Sequence, residues 1–158
     1  MTAQRDPVSS RVDDAVDIRP AGWRDLAEVR ALERACFGPD AWSWVELLFA
    51  LIGLNVRLKA VVRGQLVGFV VGEMPPLADS AWIATLGVLP EYQRRGVGAR
   101  LLAEIEARLP APRLKLTVRR SNAPALALYQ KFGYAPVGQH ERYYSDGEAG
   151  IVMEKRRR

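Results

Sequence analysis

The sequence predicts a single α/β (α+β) domain built around one mixed central sheet. Three observations predict this fold class. Segments in which apolar and polar residues alternate, as in half-buried strands, are interspersed with segments in which apolar residues recur every three or four positions, as in helices. Glycine and proline separate these segments. The length of 158 residues fits one domain with its own core, and the chain contains no internal repeat.

The periodic segments predict the element order β-α-α-β-β-β-α-β-α-β-β. The Arg63–Gly64 turn makes the second and third strands a hairpin. The strands are predicted at Val16–Ile18, Val56–Val62, Leu66–Glu73, Trp82–Val88, Leu114–Val118, Tyr134–Gln139 and Gly150–Glu154. The helices are predicted from Leu26 to Cys36, from an N-cap at Ser43 to Ile52, from Val97 to Leu109, and from a cap at Ser121 or Asn122 to Gly133.

The composition favours a protein of a reducing, cytoplasmic compartment. The longest apolar stretch, Leu47–Leu54, is too short to span a bilayer, and the polar N-terminal segment lacks the apolar region of a secretory signal. Residues 1–16 are polar and predicted to be disordered. Cys36 is the only cysteine, so no intrachain disulfide can form. Its place on an apolar helical face favours a buried structural thiol over a nucleophile.

The net charge of +5 comes mostly from the end of the chain. The last four residues, Lys155, Arg156, Arg157 and Arg158, are all basic, so the remainder carries 5 − 4 = +1. We therefore predict a near-neutral domain over residues 17–154, followed by a solvated basic tail at 155–158. The alternative is electrostatic attraction of this tail to RNA. The absence of a basic surface studded with aromatic residues disfavours nucleic-acid binding.

The strongest local signal is the stretch LGVLPEYQRRGVGARLL at residues 86–102, where a strand gives way to a helix. The first N–H groups of a helix have no partner within it and lie at the positive end of the helix dipole. Gly96 and Gly98 permit close approach of an anion to this backbone, and Arg94 and Arg95 add positive charge. The pattern favours recognition of a pyrophosphate. The alternative is a helix start whose glycines serve only packing.

Two common phosphate-binding motifs are excluded. The stretch lacks the GxxxxGK[ST] pattern of a P-loop, and Gly96-Val97-Gly98 is not followed by the third glycine of a Rossmann fingerprint. The stretch instead resembles the Q/R-x-x-G-x-G/A motif of the GCN5-related N-acetyltransferase (GNAT) superfamily, which binds acetyl-coenzyme A. The resemblance extends from about Ile18 to Glu154.

Two further segments resemble this superfamily. LKLTVRRSNAPALALYQKFGY (114–134) is similar to the segment in which members carry a strand, S-N-x-x-A-x-x-L-Y and then G-F/Y. GQHERYYSDGEAGIVMEK resembles the last hairpin of the ribosomal-protein alanine N-acetyltransferases of the RimI type. The resemblance implies a GNAT-like domain that uses acetyl-coenzyme A as co-substrate and needs no metal.

The resemblance also implies roles for individual residues. Tyr129 would protonate the leaving thiolate, and Asn122 would bind the cofactor near its thioester. The alternatives are a core aromatic residue at Tyr129 and a helix cap alone at Asn122. Strand backbone groups would bind the pantetheine arm at Leu86, Gly87 and Val88. Backbone amides would surround the pyrophosphate at Arg94, Arg95, Gly96, Val97, Gly98 and Ala99.

The general base is the point at which the sequence departs from the RimI type. Thr117 occupies the position of the glutamate proposed as base there, and a threonine hydroxyl takes no proton at neutral pH. An α-amine, with a pKa of about 7.7–8.0, is partly neutral at pH 7.5, whereas only about one lysine in a thousand is. The loss of a strong base therefore favours an N-terminal acceptor. Glu73, acting through a water molecule, is the predicted substitute, while His140 is interpreted as a surface residue.

Three aromatic residues are predicted to contact the acceptor: Trp42, Tyr143 and Tyr144. The sequence thus predicts acetyl transfer to a primary amine, most specifically the N-terminal α-amine of a protein. A small amine acceptor and a non-catalytic acyl-coenzyme A binding module are the alternatives. A wide acidic pocket would favour a small amine, and a groove ending near the paired tyrosines would favour a peptide. The sequence does not choose between a monomer and a homodimer.

Overall fold

A mixed seven-stranded sheet forms the centre of the computed structural model, which describes residues 15–158. The predicted disordered segment, residues 1–16, therefore lies almost wholly outside the described residues. The strand order is β1-β2-β3-β4-β5-β7-β6, and β4 and β5 are the only parallel neighbours within this sheet. The strands are β1 (Asp17–Pro20), β2 (Val56–Val62), β3 (Gln65–Glu73), β4 (Ser80–Val88), β5 (Arg113–Arg119), β6 (Ala135–His140) and β7 (Gly150–Arg156).

The predicted order of strands and helices is confirmed over the described residues. The α-helices are α1 (Leu26–Phe37), α2 (Trp44–Ile52), α3 (Val97–Arg108) and α4 (Ala123–Lys131). None of these helices is long and apolar enough to cross a membrane. Ser43 caps α2 as predicted, since its hydroxyl accepts from the Glu46 N–H while the Glu46 carboxylate accepts from the Ser43 N–H, 2.7 Å away.

Two apolar cores cover the two faces of the sheet. One contains the apolar stripe of α3 and the buried side of α4, and the other contains the stripes of α1 and α2. Gly68 and Gly72 of β3 let α3 approach closely, because an added Cβ at either position would lie 2.7 Å from a leucine methyl of that helical layer. The helices thus lie tightly on the sheet and fix the strand ends at which the site forms.

The parallel pair β4 and β5 separates halfway along its length. Pairing runs from Ser80–Arg113 to Ile83–Leu116 and then stops. At the same level the register between β3 and β4 shifts, so that Ala84 is an extra residue, which makes a β-bulge. Beyond Ile83 the two strands diverge and leave their facing backbone edges open.

The prediction of a solvated tail at residues 155–158 is wrong for Lys155 and Arg157, whereas the side chains of Arg156 and Arg158 are exposed. Lys155 and Arg156 belong to β7, and the Lys155 Nζ lies 2.8 Å from Glu106 Oε2. Arg157 donates from its guanidinium to the carbonyls of Glu106, Leu109 and Ala111. The physical reason is that the last carbonyls of a helix have no partner within it, and the arginine supplies donors at the end of α3.

We expect Arg157→Ala to lower the free energy of unfolding by about 1–3 kcal/mol, because several buried carbonyls lose a charged donor. Arg158→Ala, which removes an exposed side chain next to it, is the matched control and should be nearly neutral. Urea unfolding of both variants measures the difference. Equal stability of the two variants would contradict the anchoring role.

Candidate active site

A cleft of about 940 Å³ opens where β4 and β5 separate. Its walls come from the ends of both strands, from α4, from the loop between α1 and α2, and from the loop between β6 and β7. Eight residues singled out in the sequence lie together along it: Trp42, Glu73, Leu86, Thr117, Asn122, Tyr129, Tyr143 and Tyr144. The fold therefore gathers the predicted catalytic and acceptor residues into one place.

The backbone N–H and carbonyl groups of the three strand residues predicted to bind pantetheine point in two different directions. The Leu89 N–H donates to the Val67 carbonyl of β3 at 2.9 Å, so strand alternation turns the polar groups of Gly87 toward β3 as well. The backbone groups of Leu86 and the Val88 N–H face the open side, while the Val88 carbonyl accepts from Cys36 Sγ and from Gln93 Nε2. Gly87 therefore does not offer its backbone to the cleft, which corrects that prediction. Its lack of a side chain serves packing, since a Cβ there would lie 3.0 Å from a Leu32 methyl.

The turn before α3 has the shape expected of an anion site. Arg94 and Gly96 adopt positive φ angles of 61° and 81°. Gly96 is the N-cap of α3, and the N–H groups of the first helical turn, at Val97, Gly98 and Ala99, have no acceptor within the helix. The Arg95 guanidinium lies 5.3 Å from the centre of the Tyr92 ring, which holds its charge beside this turn.

Tyr129 is a buried tyrosine whose hydroxyl is available to the cleft. The side chain comes from α4 and the residue is 8% exposed. Its ring lies edge-on to that of Tyr134 at 5.9 Å, and its hydroxyl makes no hydrogen bond to any of residues 15–158. Burial raises the pKa of Tyr129 well above its usual value, so the phenol stays protonated. It is thus a proton donor that has no acceptor within the described part of the chain.

Asn122 caps α4, as one of the two interpretations of the sequence predicted. Its Oδ1 accepts from the Ala125 N–H at 3.3 Å. Because the amide nitrogen is not used in this cap, the side chain can also donate into the cleft that it lines. The cofactor role of Asn122 stays a prediction.

Glu73 and Thr117 line the cleft from different strands. Thr117 is in the middle of β5, opposite Val152 of β7. Glu73 ends β3 opposite Trp82, and its carboxylate makes no hydrogen bond or ion pair within the described part of the chain. His140 is exposed at the end of β6 and stacks on Tyr143 at 5.7 Å, in agreement with its interpretation as a surface residue.

Cys36 is held in its protonated form. The Sγ donates to the Val88 carbonyl at 3.2 Å, and the side chain is half-buried. Burial, followed by the nearby Glu33 carboxylate, raises the pKa of the Cys36 thiol to about 11. This environment supports a structural thiol and disfavours a nucleophile, as predicted.

Glu33 is a buried carboxylate that the sequence analysis missed. It is 1% exposed on α1 yet lines the cleft. Its Oε1 accepts from the Thr85 hydroxyl at 2.7 Å, and its Oε2 accepts from the Trp42 N–H at 3.3 Å. Glu33 therefore ties α1 to the bulged strand and to the acceptor loop. The available signal was a charged residue on the apolar stripe of α1, four positions after Val29.

Burial raises the pKa of Glu33 in the folded state above its unfolded value of 4.5. Between the unfolded-state pKa and the folded-state pKa of Glu33, the folded protein therefore binds more protons than the unfolded chain. The stability of the wild type consequently falls as the pH rises from the lower pKa to the higher one. We expect Glu33→Gln to gain stability relative to the wild type between acidic and neutral pH. Glu33→Ala should lose about 1–3 kcal/mol at acidic pH, because the Thr85 hydroxyl and the Trp42 N–H lose their acceptor. This loss should shrink as the pH rises, because the variant also lacks the charge that destabilises the wild type.

Glu46→Gln is the control of opposite sign for this pH dependence. Hydrogen bonds from Ser43 lower the pKa of Glu46, so its contribution to stability is present above the unfolded value and is lost in acid. This variant should lose stability relative to the wild type as the pH rises. Thermal unfolding across the pH range measures both, and parallel curves for the two glutamine variants would contradict the assignment.

The comparisons with known proteins agree with this geometry. The model of the Acetyltransferase (GNAT) family matches residues 23–134, and the chain belongs to this family. It is 41% identical over 162 residues to the N-alpha-acetyltransferase RimI of Mycobacterium tuberculosis (strain ATCC 25618 / H37Rv), a match that covers 99% of this chain and 96% of the relative.

Other relatives match over a shorter span. The chain is 33% identical over 108 residues to an N-alpha-acetyltransferase of Sulfurisphaera tokodaii, covering 60% of this chain and 65% of the relative. It thus spans somewhat less than two thirds of that protein. The fold is similar to the crystal structure of the ribosomal-protein-S18-alanine N-acetyltransferase from Escherichia coli, with a TM-score of 0.78, 27% identity, and coverage of 90% of this chain and 94% of that one.

Proposed function

We propose that the protein transfers the acetyl group of acetyl-coenzyme A to the α-amine of a protein N-terminus. The observation that carries this proposal is the cleft between the diverging strands, where the buried Tyr129 hydroxyl and several carboxylates share one cavity. The relative that this chain covers almost completely is named an N-alpha-acetyltransferase, which supports the same reaction.

The residues present fit acetyl-coenzyme A. The N–H groups from Arg94 to Ala99 suit its pyrophosphate, since none of them donates to a backbone carbonyl of residues 15–158. The backbone groups of Leu86 and the Val88 N–H, on the open strand edge, suit the amides of pantetheine. The Tyr129 hydroxyl is a buried polar atom that has no acceptor among residues 15–158, as expected of a group that meets a ligand sulfur. The thioester supplies the activated acetyl group.

The reaction is a single direct displacement at the thioester carbonyl, and different residues of this chain carry out its two proton transfers. The amine nitrogen forms a bond to the carbonyl carbon while the carbon–sulfur bond breaks. Tyr129 donates its proton to the departing sulfur. Glu73 takes the proton that the amine loses, through a bridging water, while the Val88 N–H polarises the carbonyl and Asn122 donates a hydrogen bond nearby.

The charge of the cleft supports a cationic acceptor. Its walls contain four carboxylates and one guanidinium among the described residues: Glu33, Asp40, Glu73, Asp146 and Arg119. Acidic walls would also suit a small amine. Flat aromatic surfaces that suit a peptide chain come from Tyr143 and Tyr144, an edge-on pair at 5.0 Å in the β6–β7 loop, and from Trp42 in the α1–α2 loop. This groove favours the peptide.

Release of free thiol from acetyl-coenzyme A tests the proposal. The acceptor panel is a set of peptides with free Ala, Ser or Met N-termini, the same peptides already acetylated, lysine peptides, and small polyamines. Turnover confined to free N-termini is the expected result. Turnover on polyamines alone would favour the small-amine alternative. Tight cofactor binding without turnover on any acceptor would favour a binding module.

A further inference from the structure

Arg119 is the only cation that lines the cleft among the described residues, and three carboxylates surround it. It is the last residue of β5, two positions beyond Thr117. Its Nη1 lies 2.7 Å from Asp146 Oδ2 and 2.6 Å from Glu148 Oε2, and its Nη2 pairs with Asp40. Asp40 belongs to the α1–α2 loop, and the other two belong to the β6–β7 loop. We call these four residues the Arg119 clamp.

The remaining carboxylate oxygens of the clamp hold the same loops. Asp40 Oδ1 accepts from the Ser145 hydroxyl at 2.7 Å and from the Ser145 N–H at 3.1 Å. Glu148 Oε1 accepts from the Ser121 N–H at 2.6 Å, just before α4. Hydrogen bonds, first from Ser145 and also from Arg119, keep the pKa of Asp40 below its usual value. The clamp therefore stays charged at neutral pH.

The clamp also fixes the aromatic side of the acceptor groove. The guanidinium carbon of Arg119 lies 4.3 Å from the centre of the Tyr144 ring, and Tyr143 packs edge-on against that ring. Without the arginine, three carboxylates would face one another and Tyr144 would lose its cationic partner. The β5–β7 backbone pairing, which includes Arg119 opposite Gly150, does not depend on this side chain.

We propose that Arg119 is a positioning residue that sets the geometry of the acceptor groove by holding its two loops and Tyr144 against the end of β5. This inference rests on the proposed function. Arg119 contacts neither the thioester strand edge nor the pyrophosphate turn. Its loss therefore affects the acceptor and leaves acetyl-coenzyme A binding intact.

Steady-state kinetics of Arg119→Gln, Arg119→Lys and Arg113→Gln separate positioning from general stability. Arg113 is the matched control, because it lies at the other end of β5. Its Nη2 lies 2.5 Å from Asp79 Oδ2, and neither residue lines the cleft. Arg119→Gln should raise the KM for a peptide with a free N-terminus about tenfold, with the KM for acetyl-coenzyme A unchanged. Arg119→Lys should recover only part of this loss, because it keeps the positive charge but lacks the planar fork of the guanidinium. Arg113→Gln should match the wild type.

Amide hydrogen exchange provides a readout that does not need activity. The N–H groups of Ser121 and Ser145 donate to clamp carboxylates, so their protection should fall in Arg119→Gln and persist in Arg113→Gln. Unchanged protection, or an unchanged peptide KM, overturns the proposal. If the wild type acetylates no free N-terminus, the proposed function fails, and lost protection still supports the clamp's hold on the loops.

Discussion

Tyr129→Phe is expected to lower kcat by about 10²–10⁴-fold, the usual contribution of a positioned acid, while the KM for acetyl-coenzyme A changes little. The substitution removes one buried hydroxyl that bonds to no described residue, so the folded state loses no hydrogen bond. The ring and its edge-on contact with Tyr134 remain. The loss should therefore fall on the chemical step and not on folding or cofactor binding.

Tyr134→Phe is the matched control, because the same atom is removed from the neighbouring buried tyrosine. The Tyr134 hydroxyl donates to Glu106 Oε1 at 2.7 Å and does not line the cleft. This variant should lose stability and keep its kcat. Pre-steady-state measurement of thiol release, with unfolding curves for both proteins, distinguishes the two effects. A wild-type kcat in Tyr129→Phe, or the same loss of kcat in both variants, would contradict a role as acid.

The parts of the fold that short-range rules govern could be predicted from the sequence. Ser43 and Glu46 form a capping box whose spacing is visible in the chain, and the Asn122 side chain caps α4 by accepting from the Ala125 N–H. The hairpin of β2 and β3 follows from two alternating segments around Arg63–Gly64. In each case the residues that decide the structure lie within a few positions of one another.

The parts that depend on distant partners could not be predicted from the sequence. The bulge at Ala84 and the end of β4–β5 pairing at Ile83 depend on how β3, β4 and β5 are aligned with one another. Glu33 accepts a hydrogen bond from Thr85, which lies 52 positions further along the chain. Arg157 is one of four basic residues in sequence, and the carbonyls that it binds, in α3 and just after it, lie 46 or more residues away in the chain. Local composition carries no information on these partners.

Gly96→Val is expected to raise the KM for acetyl-coenzyme A roughly 10–100-fold, because a β-branched residue at positive φ carries about 1–3 kcal/mol of strain, relieved when the turn changes shape. Gly96 adopts φ of 81° with open space around the position of a Cβ, so the penalty is conformational and not steric. A changed turn would redirect the N–H groups that precede and begin α3. The peptide KM and the chemical step should be much less affected.

Gly64→Val separates loss of the anion site from loss of stability, because it places the same strain elsewhere. Gly64, in the turn between β2 and β3, has φ of 77° and likewise no atom near a Cβ, but its turn does not precede a helix. Both variants should unfold at lower urea concentration, and only Gly96→Val should bind acetyl-coenzyme A weakly by calorimetry. Equal affinities would mean that the turn before α3 is a packing feature, and the pyrophosphate would then have to be bound by side chains alone.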